Sequence, residues 1–385
     1  MVSNKLSLTF REDLEILNNH HQQILLKGSD GKSIVAISPE WQGRVMTSSL
    51  HGMEGSGLGW INHKLIRSRE IKPHINAFGG EDRFWLGPEG GQFSFYFKPD
   101  SEFNLESWQV PAEIDTEPFD IVKTSDKYVS FKKQMNLLNY SGHTFNFLVE
   151  RDINLLDASH VNNILGININ NLEFVAYESV NRIKNTGTHA WNEETGTLSI
   201  WILGMFQPSE ATTIVIPFKT GDESNLGPKV NDSYFGKIPS DRLIVREEVL
   251  FFSGDGKHRG KLGIGPKRAL PYMGAYNART NVLTIVNFTL AENVNSYVNS
   301  MWEIQDEPYS GDVLNSYNDG PVGNGSQLGP FFELESSSPA AFLGKGEQMV
   351  HKHRTIHLSG ETKKLDEICN KIFGRSLDEI KSVFK

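Results

Sequence analysis

A single cysteine, Cys369, occurs in 385 residues, so no disulfide can close within the chain and the fold needs no oxidising compartment. Its neighbours Ile368 and Ile372 mark it as a small buried hydrophobe rather than a nucleophile. No apolar run reaches the roughly 18 residues of a membrane-spanning helix, which excludes one. Basic residues are outnumbered, with 38 Lys and Arg against 47 Asp and Glu for a net charge of −9. No cationic stripe offsets that balance, which argues against a nucleic-acid partner. The opening Met1-Val-Ser-Asn-Lys-Leu-Ser-Leu-Thr-Phe10 has no apolar h-region, so the chain as given reads as cytoplasmic. A periplasmic or exported location is the alternative if a signal has been removed. Walker A, Gly-x-Ser-x-Gly and His-Glu-x-x-His motifs are missing too, which removes phosphate-loop, serine-hydrolase and zincin chemistry.

What is present suits a β protein. Hydrophobic residues make up 38% of the chain and aromatics 10%, enough for a large core, and 35 glycines supply many turns. Residues 10–26 read as a short helix with Phe10, Leu14 and Leu17 on one face. From Ser33 to about residue 358 the signals are strand-like. Tyr128–Phe131, His143–Glu150, Thr197–Leu203, Thr212–Pro217, Arg242–Phe252 and Val282–Phe288 are rich in β-branched and aromatic residues between Gly, Asn, Asp or Pro clusters. So many strand signals with so few helices predict an antiparallel sandwich rather than a doubly wound sheet. Beyond Gly360, Leu365, Ile368, Ile372, Leu377, Ile380 and Phe384 fall at helical spacing, with Ser376-Leu-Asp-Glu379 as a capping box. The expected organisation is a lead-in over 1–32, a β domain over 33–358 and a helical extension over 359–385 packed on it.

Three constellations carry chemistry. In the first, His74 to Gln92, Gly79-Gly80 and Gly90-Gly91 flank Glu81, Asp82, Arg83, Trp85 and Glu89. Charged and amide groups that grip paired hydroxyls, beside an aromatic ring for the C–H face, are sugar-site chemistry. His74, Asn76, Glu81, Arg83, Trp85 and Glu89 are therefore candidate substrate contacts, alongside a structural turn as the plainer reading. Second, strand alternation in Phe331-Phe-Glu-Leu-Glu-Ser336 turns Phe332 and Leu334 to the core and Glu333 and Glu335 together to the other face. Two such carboxylates repel, so one is expected to keep its proton near neutrality, which suits a general acid or base. Third, His351, His353 and His357 share strand parity. The His351/His353 pair is a candidate divalent-metal site, with Glu333 or Glu335 as further ligands, and hydrogen-bonded structural histidines are the alternative. Arg182, in Asn181–Gly187, and Lys261, grouped with Lys257 and Arg259 in a glycine-flanked loop, complete the list. Their charge suits an acidic sugar.

Taken together these residues resemble the galactose mutarotase-like superfamily, which includes aldose 1-epimerases. The resemblance rests on Ser38-Pro-Glu-Trp-Gln-Gly-Arg-Val-Met46, on Gly79-Gly80 followed by Phe84-Trp85 and Gly87-Pro88, and on Asn185-Thr-Gly187. It also rests on Glu335-Ser-Ser-Ser-Pro339 followed by Leu343-Gly-Lys-Gly-Glu347. It implies an antiparallel β-supersandwich with a concave sugar-binding face, a mono- or oligosaccharide ligand and no cofactor. By that resemblance Glu335 is the first candidate for the base that takes the anomeric proton, with Glu333 second. Two departures stand out. The epimerases' histidine before Gly-Gly is Phe78 here, and their Asn-His-x-Tyr-Phe-Asn motif, which carries the acid, has no counterpart near His189. A sugar isomerase is the leading expectation. A carbohydrate-binding protein without turnover and a metal-dependent sugar-acid isomerase or lyase are the alternatives.

Overall fold

Residues 8–385 are described by the computed structural model. The N-terminal helix is shorter than its expected span. Phe10–Asn18 is helical, held at its start by a capping box in which Thr9 Oγ1 accepts from Glu12 N and Glu12 Oε2 accepts from Thr9 N. Apolar periodicity stops at Leu17, and the polar run Asn18–Gln23 turns the chain. Ile24–Lys27 then pairs with Ile34–Ser38 as a strand. Arg242–Phe252 also divides. Leu243–Val245 and Val249–Ser253 form a hairpin, with the turn closed by Arg246 N donating to Val249 O at 2.9 Å.

Three sheets form, and every strand pair among the described residues is antiparallel. The largest has ten strands, with Gln348–Ser359, Glu173–Asn185, Thr144–Leu155 and Tyr128–Leu138 among its longest. A five-stranded sheet runs Gly260–Ile264, Leu314–Asn318, Phe332–Ser337, Ser199–Phe206, Arg83–Gly87. The small third sheet, Ile24–Lys27, Ile34–Ser38 and Arg44–Ser49, reaches the second through the Val45–Asp82 bridge. This is a mostly β architecture of antiparallel sheets with few helices.

Strand alternation assigns the faces. Phe84, Leu86, Ile200, Ile202, Phe332 and Leu334 of the five-stranded sheet point at the ten-stranded one and fill the space between them. The reverse face of the large sheet carries Leu283, Ile285, Ile356 and Leu358. They bury Leu365, Ile368, Cys369 and Phe373 of the helix Thr362–Phe373 and Leu377 and Ile380 of the helix Leu377–Ser382. Cys369 is thus a core side chain, its thiol pushed up to about 12 by burial. Ser376 Oγ caps the last helix by accepting from Glu379 N at 3.2 Å, while the Glu379 carboxylate turns to Arg246 and Arg375. The interior between the sheets is not uniformly apolar. A polar seam crosses it, made of Glu81, Asp82, Arg151, Tyr177, Asn181, Thr284, Ser336, His351, His353 and His357, all buried.

Candidate functional site

The outward face of the five-stranded sheet carries a cluster that register fixes residue by residue. Arg83 lies opposite Leu203, Leu203 opposite Glu335, and Glu335 opposite Asn315. Two residues along, Trp85 faces Trp201, and in the other direction Met205, Glu333, Tyr317 and Lys261 line up across four strands. Loops close over this face and leave a cleft of ≈ 370 Å³ lined by His74, Arg83, Trp85, Glu89, Trp108, Trp201, Arg259, Lys261, Trp302, Tyr317, Asp319 and Glu333 among others. Gly90 and Gly91 allow the Glu89 loop to press on the Trp302 loop. A Cβ on Gly90 would stand 2.3 Å from Met301 O. Gln92 and Gln305 bind the two loops through reciprocal bonds of 2.8 and 3.0 Å.

The two glutamates of Phe332–Ser337 share this face, and their surroundings differ. Glu335 is fully buried. Its Oε2 accepts from Trp201 Nε1 at 3.0 Å and from Lys261 Nζ at 3.2 Å, and its Oε1 has no partner among the described residues. It does not line the cleft. Glu333 does, with Oε1 3.4 Å from Arg83 Nη2 and no hydrogen bond to Oε2 among the described residues. Burial, then the like charge of Glu335, push the Glu333 carboxyl up to about 8 against the pull of Arg83 and Lys261. Burial alone would lower the Lys261 ammonium, but Glu335, Glu89 and Glu333 outweigh it and hold the group above its ordinary value. Burial also raises Glu89 and Asp319.

Aromatic rings wall the cleft. Trp85 meets Trp201 edge-on at 5.6 Å, and Trp108 stacks on Trp302 at 5.6 Å. The Arg83 guanidinium lies 4.2 Å from the centre of the Trp85 ring, and Lys261 Nζ 4.6 Å from that of Trp201. Four buried donors here have no hydrogen-bond partner among the described residues: Arg83 Nε and Nη1, Trp85 Nε1 and Trp108 Nε1. His74, at the cleft mouth, has Nδ1 2.7 Å from Trp108 O. A carbonyl only accepts, so Nδ1 carries a proton, and in the neutral form of the ring the lone pair is on Nε2.

Several expected contacts lie elsewhere. Asn76 is buried against Asp115, donating from Nδ2 at 2.8 Å, and organises its own loop. Glu81 points into the interior because the left-handed Gly79 and Gly80 (φ 97° and 115°) swing the chain beneath Trp60 and Arg44. There it accepts from Ser48 N, Ser48 Oγ and Tyr177 Oη and lies 3.0 Å from His357 Nε2. Arg182 alternates with the inward Asn181 and Ile183, so it faces out from the large sheet and pairs with Asp152 at 2.6 Å. Phe78 stacks on Trp41 at 4.3 Å in an apolar cluster.

His351 and His353 are not brought together with Glu333 or Glu335. They face the interior, on the opposite side of the five-stranded sheet from Glu333 and Glu335. His351 Nε2 and His353 Nδ1 each lie 2.8 Å from Ser336 Oγ. Burial holds both rings neutral, lowering them to about 3 and about 4. Among the described residues no group of three or more His, Cys, Asp or Glu is placed to hold a metal ion. The sequence reading also passed over Trp108, Trp302, Tyr317 and Asp319 as cleft residues. Only Tyr317 carried a usable signal, since on a strand it shares parity with Asn315.

Residues 8–384 match the model of a family of unknown function, DUF6786. The chain belongs to that family. No curated protein matches it in sequence. Among solved structures it is similar to a galactose mutarotase-like protein from Lactobacillus casei ATCC 334, with 10% identity and a TM-score of 0.50, covering 87% of this chain and 99% of that one. It is similar also to the Slr1438 protein from Synechocystis sp. PCC 6803, with 14% identity and a TM-score of 0.50, covering 88% and 96%. At such identities the likeness establishes the fold and not the reaction.

Proposed function

We propose that this DUF6786 chain is a sugar isomerase of the mutarotase or epimerase type, acting on an uncharged sugar in the cleft of the five-stranded sheet. The observation that carries the reading is the set of buried donors without partners, Arg83 Nε and Nη1, Trp85 Nε1 and Trp108 Nε1, beside stacking rings in one cleft. Buried donors in native proteins are almost always satisfied, and sugar hydroxyls and ring oxygens are acceptors that would satisfy these. The galactose mutarotase-like fold supports a carbohydrate ligand at the coarse level.

Charge favours a neutral sugar over an acidic one. Lys261 is committed to Glu335 and Lys257 to Glu210 outside the cleft, while Arg83 lies over the Trp85 ring, 3.4 Å from a Glu333 carboxyl that burial keeps protonated. Among the described residues Arg259 forms no ion pair with a carboxylate; it lies over the Phe235 ring at 3.9 Å next to Asp319. A sugar carboxylate would enter beside Glu89 and Asp319 and close to the Glu335 carboxylate held by Lys261.

Ring opening and reclosure need a proton delivered to the ring oxygen and one removed from the anomeric hydroxyl. The cleft offers carboxyl groups for the first and the His74 lone pair for the second. The test is anomer exchange, followed by polarimetry or magnetisation-transfer NMR, over a panel of neutral sugars and uronic acids. Catalysed exchange of a neutral sugar is expected. A rate confined to uronic acids would refute the charge argument. A second reading, binding without turnover, is favoured by the sealed position of Glu335, the glutamate that the family resemblance marks as base. Its signature is a thermal shift with neutral sugars and no exchange above background.

A further inference from the structure

We propose that the two strand glutamates divide their labour: Glu333 is the proton donor that meets the sugar, and Glu335, which is not among the residues that line the cleft, is a positioning residue acting through it. This rests on the isomerase reading above and assigns its missing acid, for which the sequence has no histidine in place.

The division follows from where each carboxyl lies. Glu335 is covered by Trp201 and Lys261, which take its Oε2 at 3.0 and 3.2 Å, and it contributes nothing to the cleft wall. Glu333 opens on the cleft, with Oε2 free of hydrogen bonds among the described residues and Oε1 steadied by Arg83 at 3.4 Å. The groups around Glu333 come from every neighbouring element. They are Arg83 on Arg83–Gly87, Lys261 on Gly260–Ile264, Tyr317 on Leu314–Asn318 with Asp319 just beyond it, Glu89 from the loop above and Glu335 two residues along. A buried anion at position 335 favours the neutral form of its neighbour, so Glu333 enters the reaction carrying a proton. In the step itself the Glu333 proton passes to the ring oxygen as its bond to C1 breaks, and the anomeric O–H proton passes to His74 Nε2. C1 becomes the aldehyde carbon and Glu333 a carboxylate beside Arg83. Rotation about C1–C2 and the reverse transfers give the other anomer and restore both groups, with no net gain or loss of protons. Lys261, held ionised by its carboxylates, fixes Glu335 rather than serving as the acid.

Two readouts on the intact protein test this. The first is the infrared protonated-carboxyl band followed against pH in the wild type, Glu333→Gln and Glu335→Gln. A band that persists to about pH 8 in the wild type, disappears in Glu333→Gln and titrates one unit or more lower in Glu335→Gln is expected. The second is the pH profile of anomer exchange. Its alkaline limb should move down by the same interval in Glu335→Gln, whereas Glu333→Gln should lose at least about 100-fold at every pH. Circular dichroism and sugar-induced thermal shift confirm that each variant folds and binds. If Glu335→Gln is as inactive as Glu333→Gln at every pH while still binding sugar, Glu335 reacts directly and the division is overturned. An unshifted band in Glu335→Gln overturns it too. A wild type that shows the shifted band but exchanges no sugar sinks the isomerase reading and the donor role, and leaves the electrostatic coupling established.

Discussion

The ion pair between Asp82 and Arg151 should be the costliest single contact to break in the interior. Arg151 projects from Thr144–Leu155 of the large sheet and Asp82 precedes Arg83–Gly87, so the pair joins the two sheets beneath the cleft. Both residues are 0% exposed. Arg151 Nη2 donates to Asp82 Oδ1 at 2.5 Å and to Asp82 O at 3.0 Å, Nε donates to Gly43 O at 3.2 Å, and Nη1 is bonded to Asn181 Oδ1. Removing the carboxylate in Asp82→Ala leaves a guanidinium with carbonyl dipoles and an amide but no counter-charge. Breaking one side of a buried pair costs about 3–5 kcal/mol. With a urea m-value of about 3 kcal/mol/M, the unfolding midpoint should fall by about 1–1.7 M, and by proportionally less if m is larger. The double variant Asp82→Leu/Arg151→Met removes both charges and should recover much of the loss, because desolvation of the arginine is then no longer uncompensated. Urea titrations followed by tryptophan fluorescence give all three midpoints. A cost below about 1 kcal/mol for Asp82→Ala would mean that the seam is hydrated, and the reasoning would fail.

Further outcomes follow from the same contacts. Gly79→Ala should destabilise or misfold the chain, since its φ is 97° and a Cβ would stand 2.1 Å from Trp60 O; a thermal melt reads the loss. Trp108→Phe keeps the stack on Trp302 but removes an indole N–H, so sugar affinity should fall by about tenfold, for one neutral hydrogen bond, with the melting temperature of the free protein little changed. Neutral His351 and His353, lowered to about 3 and about 4, let the unfolded chain bind up to two extra protons below about pH 6.5, so stability is lost as pH falls at up to about 1.4 kcal/mol per proton per unit. Glu333 has the opposite sign: held protonated to about 8, its contribution is full below about pH 4.5 and declines as pH rises towards 8, so Glu333→Gln should flatten urea stability over that interval while His353→Gln reduces the acid slope.

The strands were legible because β-branched and aromatic residues cluster between turn formers, and Thr212–Pro217 and Val282–Phe288 have their expected bounds. Parity was legible too. Glu333 and Glu335 do share a face, and His351, His353 and His357 share another. What a strand pattern does not say is which face points where. That question is normally answered by contrast, with apolar residues inward and polar residues outward. Here the contrast is missing, because Arg83–Gly87, Ser199–Phe206 and Leu314–Asn318 are buried at every position. One face is covered by the large sheet and the other by the loops that make the cleft. Polar residues therefore occur on both sides: Ser336 and the seam inside, Glu333, Glu335 and Lys261 outside. His351 and Glu335 read as partners for a metal because nothing in their spacing placed a sheet between them. The same absence of contrast hid the rank of the glutamates. Their distinction comes from Trp201 and Lys261, which lie 134 and 74 residues away in sequence and, among the described residues, hydrogen-bond Glu335 and not Glu333. A doubly covered sheet is thus where sequence alternation keeps its period and loses its direction, and only the folded register tells the buried anion from the carboxyl that meets the ligand.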